Sequence, residues 1–147
     1  MGMASAIGRD SQCLRGFRVL VVDDDEAVRE ALLSILRLFG ADSVAAECAD
    51  DARALLAVER FDVLLSDIEM PDEDGLALIR SVRRSRARSI AAAAVTARVS
   101  TAEYGAALAA GFDRVLQKPP DIASLVDAVR ELAHGVPATR VAGGSAK

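Results

Sequence analysis

Leu64-Leu65-Ser66-Asp67-Ile68-Glu69-Met70-Pro71 and, earlier in the chain, Val21-Val22-Asp23-Asp24-Asp25 are two short apolar runs that each end abruptly in acid. In a protein of mixed helix and strand, such runs read as neighbouring buried strands. Their carboxylates then meet at one edge of a sheet. Like charges held that close repel, and the repulsion raises a pKa or draws in a cation. Hard carboxylate oxygens suit magnesium, and magnesium suits phosphate chemistry.

Working outward from these runs, strand-like and helix-like segments alternate five times. Phe17–Val22 reads as the first strand. From Asp25 to Phe39 the residues Val28, Ala31, Leu32, Ile35 and Phe39 recur at helical spacing, and Gly40 stops that helix. Ser43–Glu47 is a weaker strand, and Asp50 to Val58 a short helix with Ala52, Leu55 and Leu56 inward. Val63–Ser66 is the third strand. Asp74 caps a helix running to about Arg84, with Leu76, Ile79 and Val82 on its inner side. Ile90–Val95 contains four alanines in a row, which favour helix on propensity. Its length and its place in the alternation predict instead a strand covered on both faces. Thr101–Ala110 is a helix ended by Gly111, and Val115–Leu116 a short fifth strand. Asp121–His134 carries the stripe Ile122, Leu125, Val126, Val129 and Leu132.

This alternation predicts an α/β fold, a parallel sheet wound on both sides. The chain of 147 residues is sized for one domain. The expected divisions are a flexible segment over 1–15, a domain over 16–134, and a flexible tail over 135–147 rich in glycine. A net charge of -4 argues against general nucleic-acid binding. Cys13 and Cys48 have no metal-site spacing and read as free thiols of a reducing compartment. The N-terminus has no apolar signal core, and no apolar run is long enough to span a bilayer. These features predict a cytoplasmic protein with no membrane association.

In parallel sheets the functional site lies beyond the carboxyl ends of the strands. Asp23 and Asp24 follow the first strand, Asp67 the third, Thr96 the fourth and Lys118 the fifth, so all fall on that edge. Asp67 is the candidate nucleophile, because a carboxylate can accept a phosphoryl group as an aspartyl phosphate. Such a group carries charge on its three oxygens and needs positive charge and donors around it. Magnesium held by Asp24, Asp67 and a loop carbonyl, that of Glu69, supplies part of it, with Asp23 orienting the metal's water. Lys118 supplies a second charge and the Thr96 hydroxyl a donor. Arginine makes up all the other basic residues except the terminal Lys147. A lysine at 118 therefore points to a need for a compact ammonium. Each residue also has a plainer role. Asp25 caps the next helix, Asp67 can open a turn, Thr96 can be a strand-end hydroxyl, and Lys118 a surface charge. Their convergence on one edge decides for the site.

The acidic pair Asp23-Asp24, Asp67 with Met70-Pro71 and Gly75, Thr96-Ala97, and Lys118-Pro119, in this order and spacing, resemble the receiver domain of bacterial two-component response regulators. The resemblance spans about Phe17 to Ala133. It implies a flavodoxin-like sheet of five parallel strands in order 2-1-3-4-5 with five helices. It implies Asp67 as phosphoacceptor, fed from a phosphohistidine on a sensor histidine kinase or histidine phosphotransfer protein. Asp23 and Asp24 would hold magnesium, Lys118 would contact the phosphate, and Thr96 would move toward it. The Lys118–Pro119 peptide is often cis in that family. Two departures stand out. Val115 occupies the position of a usual aromatic that moves with the threonine, and Glu73 that of a commoner apolar residue, making Asp72–Asp74 unusually acidic. Glu69 and Arg98 flank the site, and a pair between them would hinder an attacking water.

Competing readings are weaker. Asp23-Asp24-Asp25 imitates the opening Asp-x-Asp of haloacid-dehalogenase-like phosphatases, yet Ala27 stands where Thr or Val follows and no late paired-Asp motif is present. The one histidine, His134, is poorly placed for a phosphohistidine carrier, and no glycine-rich nucleotide loop occurs. Arg80, Arg83, Arg84, Arg86 and Arg88 complement the end of their helix, with docking to an acidic partner as the alternative. The expectation is a signalling phosphoacceptor, not an enzyme with its own substrate. It is either a stand-alone regulator, since no output domain follows Ala133, or the receiver of a hybrid sensor kinase. A homodimer is left open.

Overall fold

A computed structural model describes residues 11–135. The elements are β1 (Arg18–Val22), α1 (Glu26–Leu38), β2 (Asp42–Ala46), α2 (Ala49–Val58), β3 (Val63–Ser66), α3 (Gly75–Arg83), β4 (Ala91–Thr96), α4 (Thr101–Ala110), β5 (Arg114–Gln117) and α5 (Ile122–Ala133). The strands form one parallel sheet in the order β2-β1-β3-β4-β5. This is the order that the resemblance implies.

Strand residues alternate between two cores, as the two-residue period of a strand requires. Val19, Val21, Val63, Leu65, Ala93 and Val95 face α1 and α5, with Leu32, Leu36, Leu125 and Val129. Leu20, Val22, Leu64, Ala92 and Ala94 face the other layer, where Ala52, Leu78, Ile79, Val82 and Ala107 meet them. Every residue of β4 is buried. Alanine's helix propensity is worth only tenths of a kcal/mol per residue (roughly 0.5 at most against its neighbours). Burial of both faces against helices outweighs it, and small side chains let those helices lie close to the sheet.

Helix starts are set by side-chain caps. Asp25 accepts from the Ala27 and Val28 amides, Asp74 from Ala77, and Asp121 from Ser124. Ser100 and Glu103 form a capping box at α4. One helical stripe needs correction. Ala31 is exposed, whereas Leu33 and Leu36 are buried. The inner face of α1 centres on Leu32 and Leu36, which places Ala31 past its margin and leaves Val28 and Ile35 at the edge.

Packing also begins ahead of residue 16. Leu14 is fully buried, and its amide donates to the Phe39 carbonyl. Of the segments expected to be flexible over 1–15 and 135–147, residues 1–10 and 136–147 lie outside the described residues. His134 caps α5 and sets its ring edge-on against Phe17, 5.1 Å between centroids. Cys48 is a free thiol, and Cys13 is partly buried against the core that α1 and α5 cover. Among the described residues no helix is long and apolar enough to cross a membrane.

Candidate functional site

Sheet register assembles the site. Val22 pairs with Ser66, and Ser66 with Ala94. One step further along the chain, Asp23 and Asp67 therefore emerge side by side. The Asp67 amide donates to the Val22 carbonyl at 2.8 Å. Thr96 pairs with Gln117, and the Lys118 amide donates to the Thr96 carbonyl, so the ends of β4 and β5 meet at the same edge. The Lys118–Pro119 peptide is cis.

Asp23, Asp24 and Asp67 each offer a carboxylate oxygen, and these atoms lie within 4.8 Å of one another. Asp23 and Asp67 are buried while Asp24 is exposed, which leaves the cluster an open side. The Lys118 ammonium stands 2.8 Å from Asp23 Oδ2 and 3.2 Å from Asp67 Oδ2. That first contact is an ion pair without hydrogen-bond alignment, so Asp23 Oδ2 is buried with no directed bond. The other oxygens are steered by the backbone. The Asp25 amide donates to Asp23 Oδ1 at 2.9 Å, and the Glu69 amide to Asp67 Oδ1 at 3.3 Å.

Burial, and then the charge of Asp23, push the Asp67 carboxyl up to about 6, while Lys118 and the Glu69 amide pull against them. Burial pulls the Lys118 ammonium down, but Asp23 and Asp67 outweigh it and hold it above its ordinary value. Lys118 thus stays charged at neutral pH. Asp67 is mostly ionised there, held among oxygens that repel it.

Thr96 closes β4 with 2% of its surface exposed, and its Oγ1 accepts the Arg98 amide at 3.2 Å. The Glu69 side chain stands apart from the three-carboxylate group. It pairs with Arg98 at 3.3 Å, and Arg98 also reaches Glu103 at 3.7 Å. Both Arg98 and Glu69 are more than half exposed, so this bridge lies at the mouth.

Three residues contribute in ways that sequence reading missed or named without a reason. Arg29, one turn into α1, donates to the Asp23 carbonyl at 2.8 Å. Gly75 lies so near the acceptor that a Cβ there would meet the Asp67 carbonyl oxygen at 2.1 Å. Arg53 on α2 grips Glu73 with both guanidinium nitrogens, at 2.5 and 2.6 Å. The acidity expected of Asp72–Asp74 is therefore partly neutralised from a neighbouring helix. Arg83 has turned inward as well. It donates to the carbonyls of Gly111, Arg88 and Ile90 and to Asp113 Oδ2. It serves the fold and is not free for the docking role considered for the arginine run.

A groove of about 570 Å³ lies elsewhere, between the end of α2 and the loop before β4. Its walls Phe61, Asp62 and Ile90 precede β3 and β4, at the opposite end of the strands.

Comparison with known proteins agrees with this geometry. Residues 19–130 match the family described as the response regulator receiver domain. The chain is 39% identical over 115 residues to the response regulator MprA of Mycolicibacterium vanbaalenii, covering 78% of this chain and 49% of that protein. The chain thus spans about half the length of that relative. It is 36% identical over 127 residues to an uncharacterized 14.6 kDa protein of Leptolyngbya boryana, covering 86% of this chain and 97% of the other. The receiver domain of a Francisella response regulator superposes with a TM-score of 0.77 at 28% identity, over 82% of this chain and 98% of that one. These likenesses lend no weight to the phosphatase reading.

Proposed function

The chain belongs to the response regulator receiver domain family of two-component systems, and we propose that within it Asp67 accepts a phosphoryl group from a phosphohistidine. The donor is a sensor histidine kinase or a histidine phosphotransfer protein in the cytoplasm. One observation carries this reading: three carboxylates within 4.8 Å of one another, two of them sharing one half-buried ammonium.

The acidic cluster fits a divalent cation. Its donors are hard oxygens, one of them, Asp23 Oδ2, is buried without a directed hydrogen bond, and Asp24 leaves an approach from solvent. Asp23, Asp24 and Asp67 would hold magnesium, with the Glu69 carbonyl as a further ligand. A magnesium ion bound there would offset the charge on the transferred oxygens.

The chain's own groups do the rest. Asp67 Oδ forms the bond to phosphorus as the phosphorus–nitrogen bond of the phosphoimidazole breaks, and the imidazole leaves. Burial makes Asp67 poorly solvated and reactive, and the Glu69 amide keeps the carboxylate turned by holding Oδ1. Lys118, charged and anchored by Asp23, stands ready for a phosphoryl oxygen. The Thr96 hydroxyl offers a donor once drawn toward that oxygen, because its present bond uses it only as acceptor. The role is signalling, the acyl phosphate being the message and not a released product.

Incubation with phosphoramidate and magnesium tests this reading, with intact mass as the readout. The expected result is one added phosphoryl group on wild type, none on Asp67→Asn, and none in excess EDTA. An equally modified Asp67→Asn protein would refute the assignment. Phosphotransfer from a panel of purified kinases then identifies the partner.

A further inference from the structure

Asp67 is carried into a tightly folded loop that runs to Gly75. The Gly75 amide donates to the Ile68 carbonyl at 2.7 Å, and the Glu73 amide to the Pro71 carbonyl at 2.8 Å. Between them Asp72 adopts φ +71°. A residue other than glycine is rarely found there, and such a conformation persists only where its surroundings enforce it. On the inner side the loop is enforced by Gly75 against the Asp67 backbone. On the outer side Arg53 supplies the tether. Its guanidinium holds both oxygens of Glu73, bonds Asp50 on its own helix at 2.5 Å, and reaches the Ser81 hydroxyl on α3 at 3.4 Å. Two-pronged pairs of this type are the strong ones, and they fix orientation as well as distance. About a third of each side chain is exposed, so the pair is partly shielded from water.

We propose that Arg53 is a positioning residue for phosphoryl transfer, acting through Glu73 to hold the loop that presents Asp67 and the Glu69 amide. This rests on the phosphoacceptor reading above. Arg53 is not among the groups that meet the transferred atoms; α2 becomes the external support for the acceptor loop. Without it, the loop samples conformations in which the Asp67 carboxylate and the Glu69 amide are misaligned, and only a fraction of molecules is competent at any instant.

The test is the rate of phosphorylation by phosphoramidate at saturating magnesium. Asp67 Oδ bonds to phosphorus, and the nitrogen leaves as ammonia. Arg53→Ala and Glu73→Gln should each slow the reaction on the order of tenfold, the weight of one charge-assisted pair. Arg53→Lys, which keeps the charge and loses the fork, should fall between. The double variant should be no slower than the slower single, since both remove the same link. Arg18→Ala is the control. It deletes the ion pairs to Asp42 and Glu59 at the other end of the strands, and the rate should not change. Glu73→Gln is nearly isosteric and partly exposed, so it keeps the test decisive should Arg53→Ala fail to fold. Wild-type rates in Arg53→Ala and Glu73→Gln would overturn the proposal. So would additive losses in the double variant, or an equal loss in Arg18→Ala. A wild type that takes no phosphoryl group, or an Asp67→Asn protein that does, would instead bring down the phosphoacceptor assignment and this role with it.

Discussion

Asp67→Asn should stabilise the metal-free protein, and the gain should depend on pH in a defined direction. Asp67 is only 5% exposed, and its carboxyl sits at about 6 against an ordinary 3.8, chiefly through burial and next through Asp23. Because the native value is the higher one, between about pH 4 and pH 6 the native protein binds a proton that the unfolded chain has released. Stability therefore falls as pH rises through this window and then stays level. At 1.36 kcal/mol per pH unit of displacement, the ionised form costs about 3 kcal/mol at neutral pH. Asparagine keeps the shape without the charge and escapes that cost. The assay is urea unfolding in EDTA, followed by circular dichroism from about pH 4 to about pH 8. The two proteins should match at the acid end and differ by up to about 3 kcal/mol at the neutral end, the variant being the more stable. Magnesium should narrow the gap. At tenfold above its dissociation constant a ligand specific to the native state adds about 1.4 kcal/mol to the wild type, and it should add less to the variant. A difference independent of pH, or an asparagine variant less stable at neutral pH, would refute the reasoning.

Gly75→Ala would force a Cβ to within 2.1 Å of the Asp67 carbonyl oxygen, too close for the backbone to absorb without moving the acceptor loop. Loss of roughly 3 kcal/mol or more in urea unfolding, with phosphorylation strongly impaired, is expected. Alanine at both Glu69 and Arg98 should leave stability within about 0.5 kcal/mol, since this pair is mostly exposed. It should shorten the aspartyl-phosphate lifetime measured by mass spectrometry after donor removal, and an unchanged lifetime would dismiss the bridge as a water gate. Arg83→Ala should cost about 2–3 kcal/mol, because three carbonyls and the buried Asp113 lose its guanidinium. Arg84→Ala, on an exposed position of the same run, should cost under about 0.5 kcal/mol, which urea midpoints will separate.

Local signals made much of this protein legible. The acid-ended apolar runs at Asp23 and Asp67 marked strands, and the caps Asp25 and Asp74 marked helix starts, since each acts through neighbours within a few residues. The alanine run over residues 91–94 was read correctly only by its place in the alternation, because its own propensity points the other way. Ala31 shows the limit of periodicity. Small apolar residues fit either side of a helix margin, and only the docked sheet decides which side is covered.

Five alternations and the order of Asp23, Asp24, Asp67, Thr96 and Lys118 along the chain were enough to determine the sheet class, the edge that carries the site and the family. The reason is that strand ends inherit their positions from the parallel winding alone. Tertiary structure was needed for the contacts between segments distant in sequence. It set the ammonium of Lys118 between two carboxylates, brought Arg53 onto Glu73, and turned Arg83 inward to the carbonyls around Gly111. Those partners are chosen by side-chain reach across packed elements, and charge counts in a linear chain carry no measure of reach.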